Sequence, residues 1–386
     1  MKTNYNKTSL IVTAITTALV APISHAAKTC EYTPLANIAT GARTAGVIAL
    51  DLNKDKVLDI VATNQAGGSV SVALGKKGGS FGTATTYPTS TVGPYETAAA
   101  DFNGDGYPDL MAGNFGSAAG APYGLTVSVF INKGDGTFKD FVDFSATDAA
   151  NDKVRAVTVG DFNKDGKMDI AAASQFTGLH ILLGKGDGTF APHVLYPAGG
   201  SVHGIVAADF NKDGNLDVAL ANNSPNGAVN VLLGKGDGSF GATIAYPAGA
   251  GTFGLATGDL NGDGYPDIVT ANDRGTSISV LLNLGKQQAG AFAAHVEYPA
   301  TKKSVAVSLG DLDGDGKLDV LSSANSGAVT DTYRNNGDGT FQASVPVATG
   351  NGSYGSAAAD FNGDGVTDIA SANVGNTVVI MQGACK

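Results

Sequence analysis

Four oxygen-bearing side chains fall within nine residues at Asp209, Asn211, Asp213 and Asp217, in the pattern D-x-[ND]-x-D-[GK]-x-x-D, and the spacing recurs along a sequence of 386 residues. Earlier copies are Asp51, Asn53, Asp55 and Asp59; Asp101, Asn103, Asp105 and Asp109; and Asp161, Asn163, Asp165 and Asp169. Later copies are Asp259, Asn261, Asp263 and Asp267; Asp311, Asp313, Asp315 and Asp319; and Asp360, Asn362, Asp364 and Asp368. Carboxylates and carboxamides are hard donors, and a loop that bunches them suits Ca²⁺. Asn215 would add a backbone carbonyl, and Gly214 permits the sharp turn. Mg²⁺ would demand a tighter octahedron, and zinc would prefer nitrogen or sulfur. The loops lack a Glu at position twelve, so they follow the EF-hand pattern only in its first half. Up to seven structural calcium ions are expected. Lys56 replaces the turn glycine in the first loop, adding strain and a positive charge, so that loop should bind most weakly. Asp313 replaces Asn in the sixth, and its extra charge should make that loop the tightest.

The loops need a scaffold that repeats with them. Their first aspartates lie 48 to 60 residues apart, a period found in propeller and solenoid arrays. Each unit reads as four short strands. A small apolar strand such as 204–208 precedes the loop, and another, 216–222, follows it. A third, 229–233, leads into a Gly-Asp-Gly turn, seen also at 134–136, 186–188 and 337–339. Phe138, Phe190, Phe240 or Phe341 then opens the fourth strand, which in four units ends in Tyr-Pro, as at Tyr87-Pro88 and Tyr196-Pro197. Proline suits an outer edge, where no ladder bond is lost. No sustained 3.6-residue pattern breaks the series. The expected fold is all-β: a seven-bladed β-propeller with four antiparallel strands per blade.

The aspartate loops followed by G-D-G-[ST]-F turns resemble the FG-GAP/VCBS repeats of integrin α-subunit propellers and of many secreted bacterial proteins. The resemblance covers residues 27–386 and implies calcium between the first two strands of each blade. It names no ligand, because propellers host unrelated functions.

The ends of the chain bear on closure. In the seventh unit the third strand, 377–382, runs into Gly383-Ala384-Cys385 where other units have a Gly-Asp-Gly turn. Cys30 aligns with the phenylalanine that normally follows the turn. A Cys30–Cys385 disulfide is therefore expected to lock an N-terminal strand into the last blade. Residues 1–26 read as a secretory signal: Lys2 and Lys7, an apolar run over 9–20, then Ser24-His25-Ala26. The run is short for a bilayer span, and the expected location is secreted, periplasmic or at the cell surface.

Six residues before each first aspartate the chain enters its innermost strand, and this column varies most: Ala45, Tyr95, Arg155, His203, Phe253, Val305 and Tyr354. Such a ring around a funnel would grip a sugar or an anion, or would simply plug the axis. Asn64, Asn114, Asn222, Asn272 and Asn373 recur thirteen residues after the first aspartate, which fits turn geometry better than recognition. The loop 114–125 breaks the spacing and carries Phe115 and Tyr123 as further candidates.

No G-x-S-x-G elbow between a strand and a helix, no H-E-x-x-H and no catalytic cysteine is present. A binding or adhesion module for an extracellular glycan or protein is expected, acting as a monomer. The alternative is a polysaccharide lyase using His203 with Tyr95, Arg155 and Tyr354. Composition agrees with the scaffold: 54 Gly with an ordinary 43% hydrophobic content excludes disorder and collagen. The net charge of −11 disfavours nucleic acid as a partner. Removing residues 1–26 leaves −13, which seven calcium ions would bring close to neutrality.

Overall fold

The computed structural model describes residues 30–90, 93–116, 124–150 and 152–386, so the expected signal segment and Tyr123 lie outside the described residues. Seven four-stranded antiparallel sheets form the blades. Their innermost strands are Thr44–Leu50, Pro94–Ala100, Val154–Gly160, Val202–Ala208, Thr252–Gly258, Ser304–Gly310 and Ser353–Ala359. Each touches its successor, and the seventh touches the first. In blade three the chain runs outward through Asp169–Ser174, Gly178–Leu182 and Val194–Pro197. The fourth strands begin four residues later than the sequence suggested. Phe138, Phe190, Phe240 and Phe341 sit in isolated bridges beside the turn, and the ladder resumes at Val142, Val194, Ile244 and Val345.

Crowding at the axis explains the small residues there. A Cβ on Gly204 would lie 2.6 Å from the carbonyl oxygen of Phe253, and one on Gly254 would lie 2.8 Å from that of Val305. The apolar core lies between blades. Phe102, Met111 and Val129 of blade two pack with Val157, Ile170, Leu182 and Phe190 of blade three in one buried cluster. Burial of such faces against the next blade is the main favourable term for the fold.

Polar clasps fix the spacing between blades. The carbonyl at the second position of an aspartate loop accepts a hydrogen bond from the next blade's turn: Gly188 N donates to Phe102 O and Gly238 N to Phe162 O, both at 3.0 Å. Asn132, Asn283 and Asn335 do the same through Nδ2 to Leu52, Phe210 and Leu260. The Tyr-Pro tyrosines also cross the gap. The Tyr87 ring lies 5.4 Å from Phe138, Tyr196 lies 5.3 Å from Phe240, and Tyr298 lies 5.6 Å from Phe341.

The last blade is closed as expected. Cys30–Ala39 pairs antiparallel with Thr377–Cys385, with Cys30 opposite Cys385, and the two cysteines form a disulfide across 355 residues of chain. In place of a turn, Cys30 Sγ and the Tyr32 hydroxyl lie 3.4 and 3.5 Å from Leu312 O. Cys385→Ser should lower the melting temperature, with a loss of up to about 5 kcal/mol in the chain-entropy limit. Calorimetry of the variant against wild type measures this; an unchanged melt would show that the strand pairing alone closes the ring.

Candidate functional site

Two sets of residues stand out, at opposite ends of the innermost strands. The aspartate loops share one conformation. In the fourth, Asp209 Oδ1 and Oδ2 accept from the backbone N–H groups of Asp213 (3.1 Å) and Gly214 (2.8 Å). Asn211 Oδ1 accepts from Asp213 N, and Asp213 Oδ1 accepts from Asn215 N. Positions four and six take left-handed backbone angles. Lys56 holds φ +68° where other loops have glycine, yet its N–H still reaches Asp51 Oδ2 at 2.8 Å. The local strain expected at Lys56 is present without loss of the turn.

The ninth-position aspartates are different in kind. Asp217 is fully buried, with Oδ2 accepting from Phe210 N at 2.9 Å and Oδ1 from Gly234 N at 2.8 Å. Asp59, Asp109, Asp169, Asp267, Asp319 and Asp368 repeat the arrangement. Each is therefore a staple between the loop and the third strand. Burial pushes Asp217 up to about 7, opposed by its two N–H donors and reinforced by Asp213 and Asp209. A hard cation among these oxygens would relieve that unfavourable charge, so the donor set fits calcium chemistry.

The sixth loop, expected to bind tightest for its extra acid, has a neighbour that offsets that charge. Asp311, Asp313 and Asp315 offer oxygens within 4.8 Å of one another. Asp313, however, is buried, and Arg334 Nη1 lies 3.9 Å from its Oδ2 and 2.7 Å from Asp319 Oδ2. Arg334 stands where five other third strands continue with Leu or Ile and the seventh with Gln382, so an arginine matches the added carboxylate. The polar strand Asp331–Arg334 is thus inward-facing at this point: Tyr333 is fully buried and donates to Pro299 O at 3.0 Å.

At the other end, every innermost strand carries a register shift, and the variable column sits on it. The ladder skips Arg155 between Val154 and Ala156, and it skips His203 and Gly204 between Val202 and Ile205. Such bulges turn a side chain out of the sheet. Here they bring Tyr95, Arg155, His203, Phe253 and Tyr354 together with Phe115. The Arg155 guanidinium lies 4.9 Å from the Tyr95 ring centre and 4.8 Å from those of Phe115 and Phe253. Tyr95 also meets Tyr354 at 6.1 Å, and His203 meets Phe253 at 4.7 Å. Arg155 is buried, and its Nε has no hydrogen-bond partner among the described residues. Ala45 and Val305 are buried and add only bulk. Arg43 closes the group, donating to the Tyr354 hydroxyl at 2.9 Å.

Beneath the rings, a cavity of about 210 Å³ follows the axis and is lined by Glu96, Thr97, Thr158 and Ser308 among others. Burial raises Glu96 to about 8, opposed by the Val157 N–H and by Arg155. Burial raises the Tyr95 hydroxyl to about 12. Burial, with help from Arg155 and Arg274, depresses His203 to about 3, and its Nε2 lies 3.0 Å from Ser201 Oγ. The repeated asparagines stand apart from this site. Asn64 Nδ2 donates to Ser69 and Ser71, Asn272 Nδ2 to Ser277 and Ser279, and Asn373 Nδ2 to Thr349 O. Asn114 bonds Thr126 and Ser128 in the same way, whereas Asn222 Oδ1 has no partner among the described residues.

Fold and loops together define a class: a seven-bladed β-propeller with an aspartate loop between the first two strands of each blade. The chain belongs to the FG-GAP-like repeat family, whose model matches residues 51–112, 118–172, 161–220, 209–270, 259–322 and 323–371. This fits an FG-GAP propeller like the N-terminal domains of integrin α-subunits. No curated protein matches it in sequence. Among solved structures it is similar to BBS1N in complex with ARL6DN, soaked with lead, at TM-score 0.61 and 11% identity over 91% of this chain and 96% of that one. The mercury-soaked form matches with the same TM-score and coverage at 8% identity. A lectin of Agrocybe aegerita, described as recognising non-reducing terminal N-acetylglucosamine, matches at TM-score 0.50 and 22% identity over 85% and 88% of the two chains. At these identities the likeness is one of fold.

The depressed histidine gives a signed prediction. A His203 held near 3 in the fold but near 6.5 in the unfolded chain stabilises the protein above pH 6.5, and that contribution is lost as pH falls toward 3. His203→Phe should therefore lose less stability than wild type between pH 6.5 and 4, by at most about 1.4 kcal/mol per pH unit, and less because the ring is only half-buried. Parallel denaturant melts across that range measure the difference; superimposable pH profiles would contradict the assignment.

Proposed function

We propose that this chain is a secreted, calcium-stabilised binding module, and that its ligand is an extracellular glycan taken at the mouth of the axis. One observation carries the reading: the bulged strands gather the half-buried rings of Tyr95, Phe115, Phe253 and Tyr354 around the Arg155 cation. Ring faces give the apolar planes on which a pyranose rests, and the Tyr354 hydroxyl and Arg43 supply polar partners at the rim. The lectin among the structural neighbours supports a carbohydrate ligand only as a precedent for the fold. Export is supported by the apparent signal in residues 1–26 and by the disulfide.

Binding without turnover suits this geometry better than a lyase. A proton abstracted beside a uronate needs a base poised near the working pH. His203 is held near 3 and Tyr95 near 12, and Glu96, raised to about 8, is buried in the cavity beneath the rings. The faces of Arg155 are taken by aromatic rings.

The calcium ions would act on stability, since each loop lies within its own blade. At about 1 mM calcium and a dissociation constant of about 0.1 mM, one site adds roughly 1.4 kcal/mol. EDTA should lower the melting temperature by many degrees, with recovery on adding calcium; an identical melt in both would end the calcium reading. For the ligand, a glycan array that includes N-acetylglucosamine-terminated and uronate-containing glycans is probed in calcium. Tyr354→Ala and Phe253→Ala should each weaken the hits at least tenfold. Full binding by both variants would remove the mouth from the account, and ultraviolet absorbance from an unsaturated uronate product would favour the lyase.

A further inference from the structure

Away from the mouth, blade three holds two histidines that neither the loops nor the ligand reading uses. His180 lies on the third strand, with 1% of its surface exposed, and its ring centre is 4.9 Å from that of His193 at the head of the fourth strand. The hydrogen bonds around His180 fix its tautomer. Its Nε2 lies 3.0 Å from Ser174 Oγ and 2.8 Å from Thr177 Oγ1. The single Thr177 hydroxyl proton goes to Asp152 Oδ2 at 2.5 Å, so Thr177 accepts from His180 and the imidazole proton sits on Nε2. Nδ1 therefore carries a bare lone pair, and it is buried with no hydrogen-bond partner among the described residues. Leaving such an acceptor unpaired costs free energy unless something occupies it.

His193 is arranged in a complementary way. Its Nε2 lies 3.5 Å from Asp148 Oδ2, whose side chain is 90% exposed, while its own side chain is 10% exposed. A carboxylate on one ring nitrogen orients the other nitrogen toward a metal and raises its basicity. The rings meet edge to face at 61°, and their separation is also one that two imidazoles sharing an ion adopt. With nitrogens about 2.0–2.1 Å from a tetrahedral ion, and ring centres about 1.1 Å further out, two imidazoles on that ion lie roughly 5 Å apart.

We propose that His180 Nδ1 and His193 bind one borderline transition-metal ion of the Zn²⁺ class. Asp152, acting through Thr177, and Asp148 orient the two rings, and solvent completes the coordination from the Asp148 side. The site differs from the aspartate loops in donor chemistry: imidazole nitrogen selects zinc, copper or nickel over calcium. Burial holds the His180 ring neutral, its ordinary pH transition pushed down to about 4, so the lone pair is available at physiological pH.

The test uses the full chain saturated with calcium, so that the oxygen loops are filled. Co²⁺ serves as a spectroscopic probe and Zn²⁺ as its competitor. One equivalent of Co²⁺ should bind with the intense visible absorption of a low-coordinate, nitrogen-ligated ion, and one equivalent of Zn²⁺ should displace it. His193→Gln lies just ahead of the outer strand and should fold; it should weaken Co²⁺ binding by at least about 30-fold, and Asp148→Asn by about 10-fold. His180→Gln should abolish the absorption where the variant folds. Failure of wild type to take up Co²⁺ at micromolar concentration would overturn the assignment. So would His193→Gln binding equal to wild type, or the weak absorption of an all-oxygen octahedral ion.

Discussion

Each blade of this protein has two apolar faces, and neither is covered until a neighbour stands against it. Phe162, Leu179 and Ile181 of blade three are buried only because Val202, Ile205 and Phe240 of blade four complete the cluster. A row of such sheets would always leave two faces open, and only a closed ring leaves none. Closure is thus the constraint from which the rest follows. It forces the innermost strands so close that Gly204 and Gly254 face the backbone of the next blade. It also requires the first and last segments of the chain to share a sheet, which is what the Cys30–Cys385 strand pair does.

Closure also sets what the aspartates do. A loop between the first and second strands must hold its own blade together and present one carbonyl to the next. The buried ninth aspartate performs the first task through two backbone N–H groups, and the second-position carbonyl performs the second. Blade six shows how tightly these duties are coupled. Its neighbour lacks the usual turn, so the disulfide and Tyr32 stand against Leu312 O, and Arg334 enters the space beside them to pair with Asp313 and Asp319. One irregular closure is accompanied by a changed loop residue and a changed strand residue 21 positions apart.

Much of this was legible in the residues, and the limit has a physical origin. Spacing within a loop is local, so the nine-residue pattern, the blade number and the missing seventh turn could all be counted. The cysteine pair followed from that count. What escaped depends on distances between blades or on register. The loss of one ladder step at Arg155 changes no residue type, yet it aims the guanidinium at Phe115 and Phe253. The reach of Tyr87 to Phe138 crosses between blades, and no spacing within a unit encodes it. The seven ninth aspartates look like carboxylate ligands of the usual kind until their burial and paired N–H donors are seen. The partnership of Arg334 with Asp313 was equally hidden, although the polar strand Asp331–Arg334 marked blade six as unusual.

The two ends of the innermost strands are set apart by chemistry as well as by place. Six residues separate the variable column from the first aspartate of each loop, a span of roughly 20 Å along an extended strand. What joins them is rigidity. The column is aimed by bulges whose ladder bonds run to second strands such as Asp169–Ser174, and those strands begin at the buried ninth aspartate. Each loop is thus tied to the column above it through one continuous strand pair. The mouth of the axis is built on Arg155, Arg43 and a set of aromatic rings, and the carboxylates gather at the other end of the same strands.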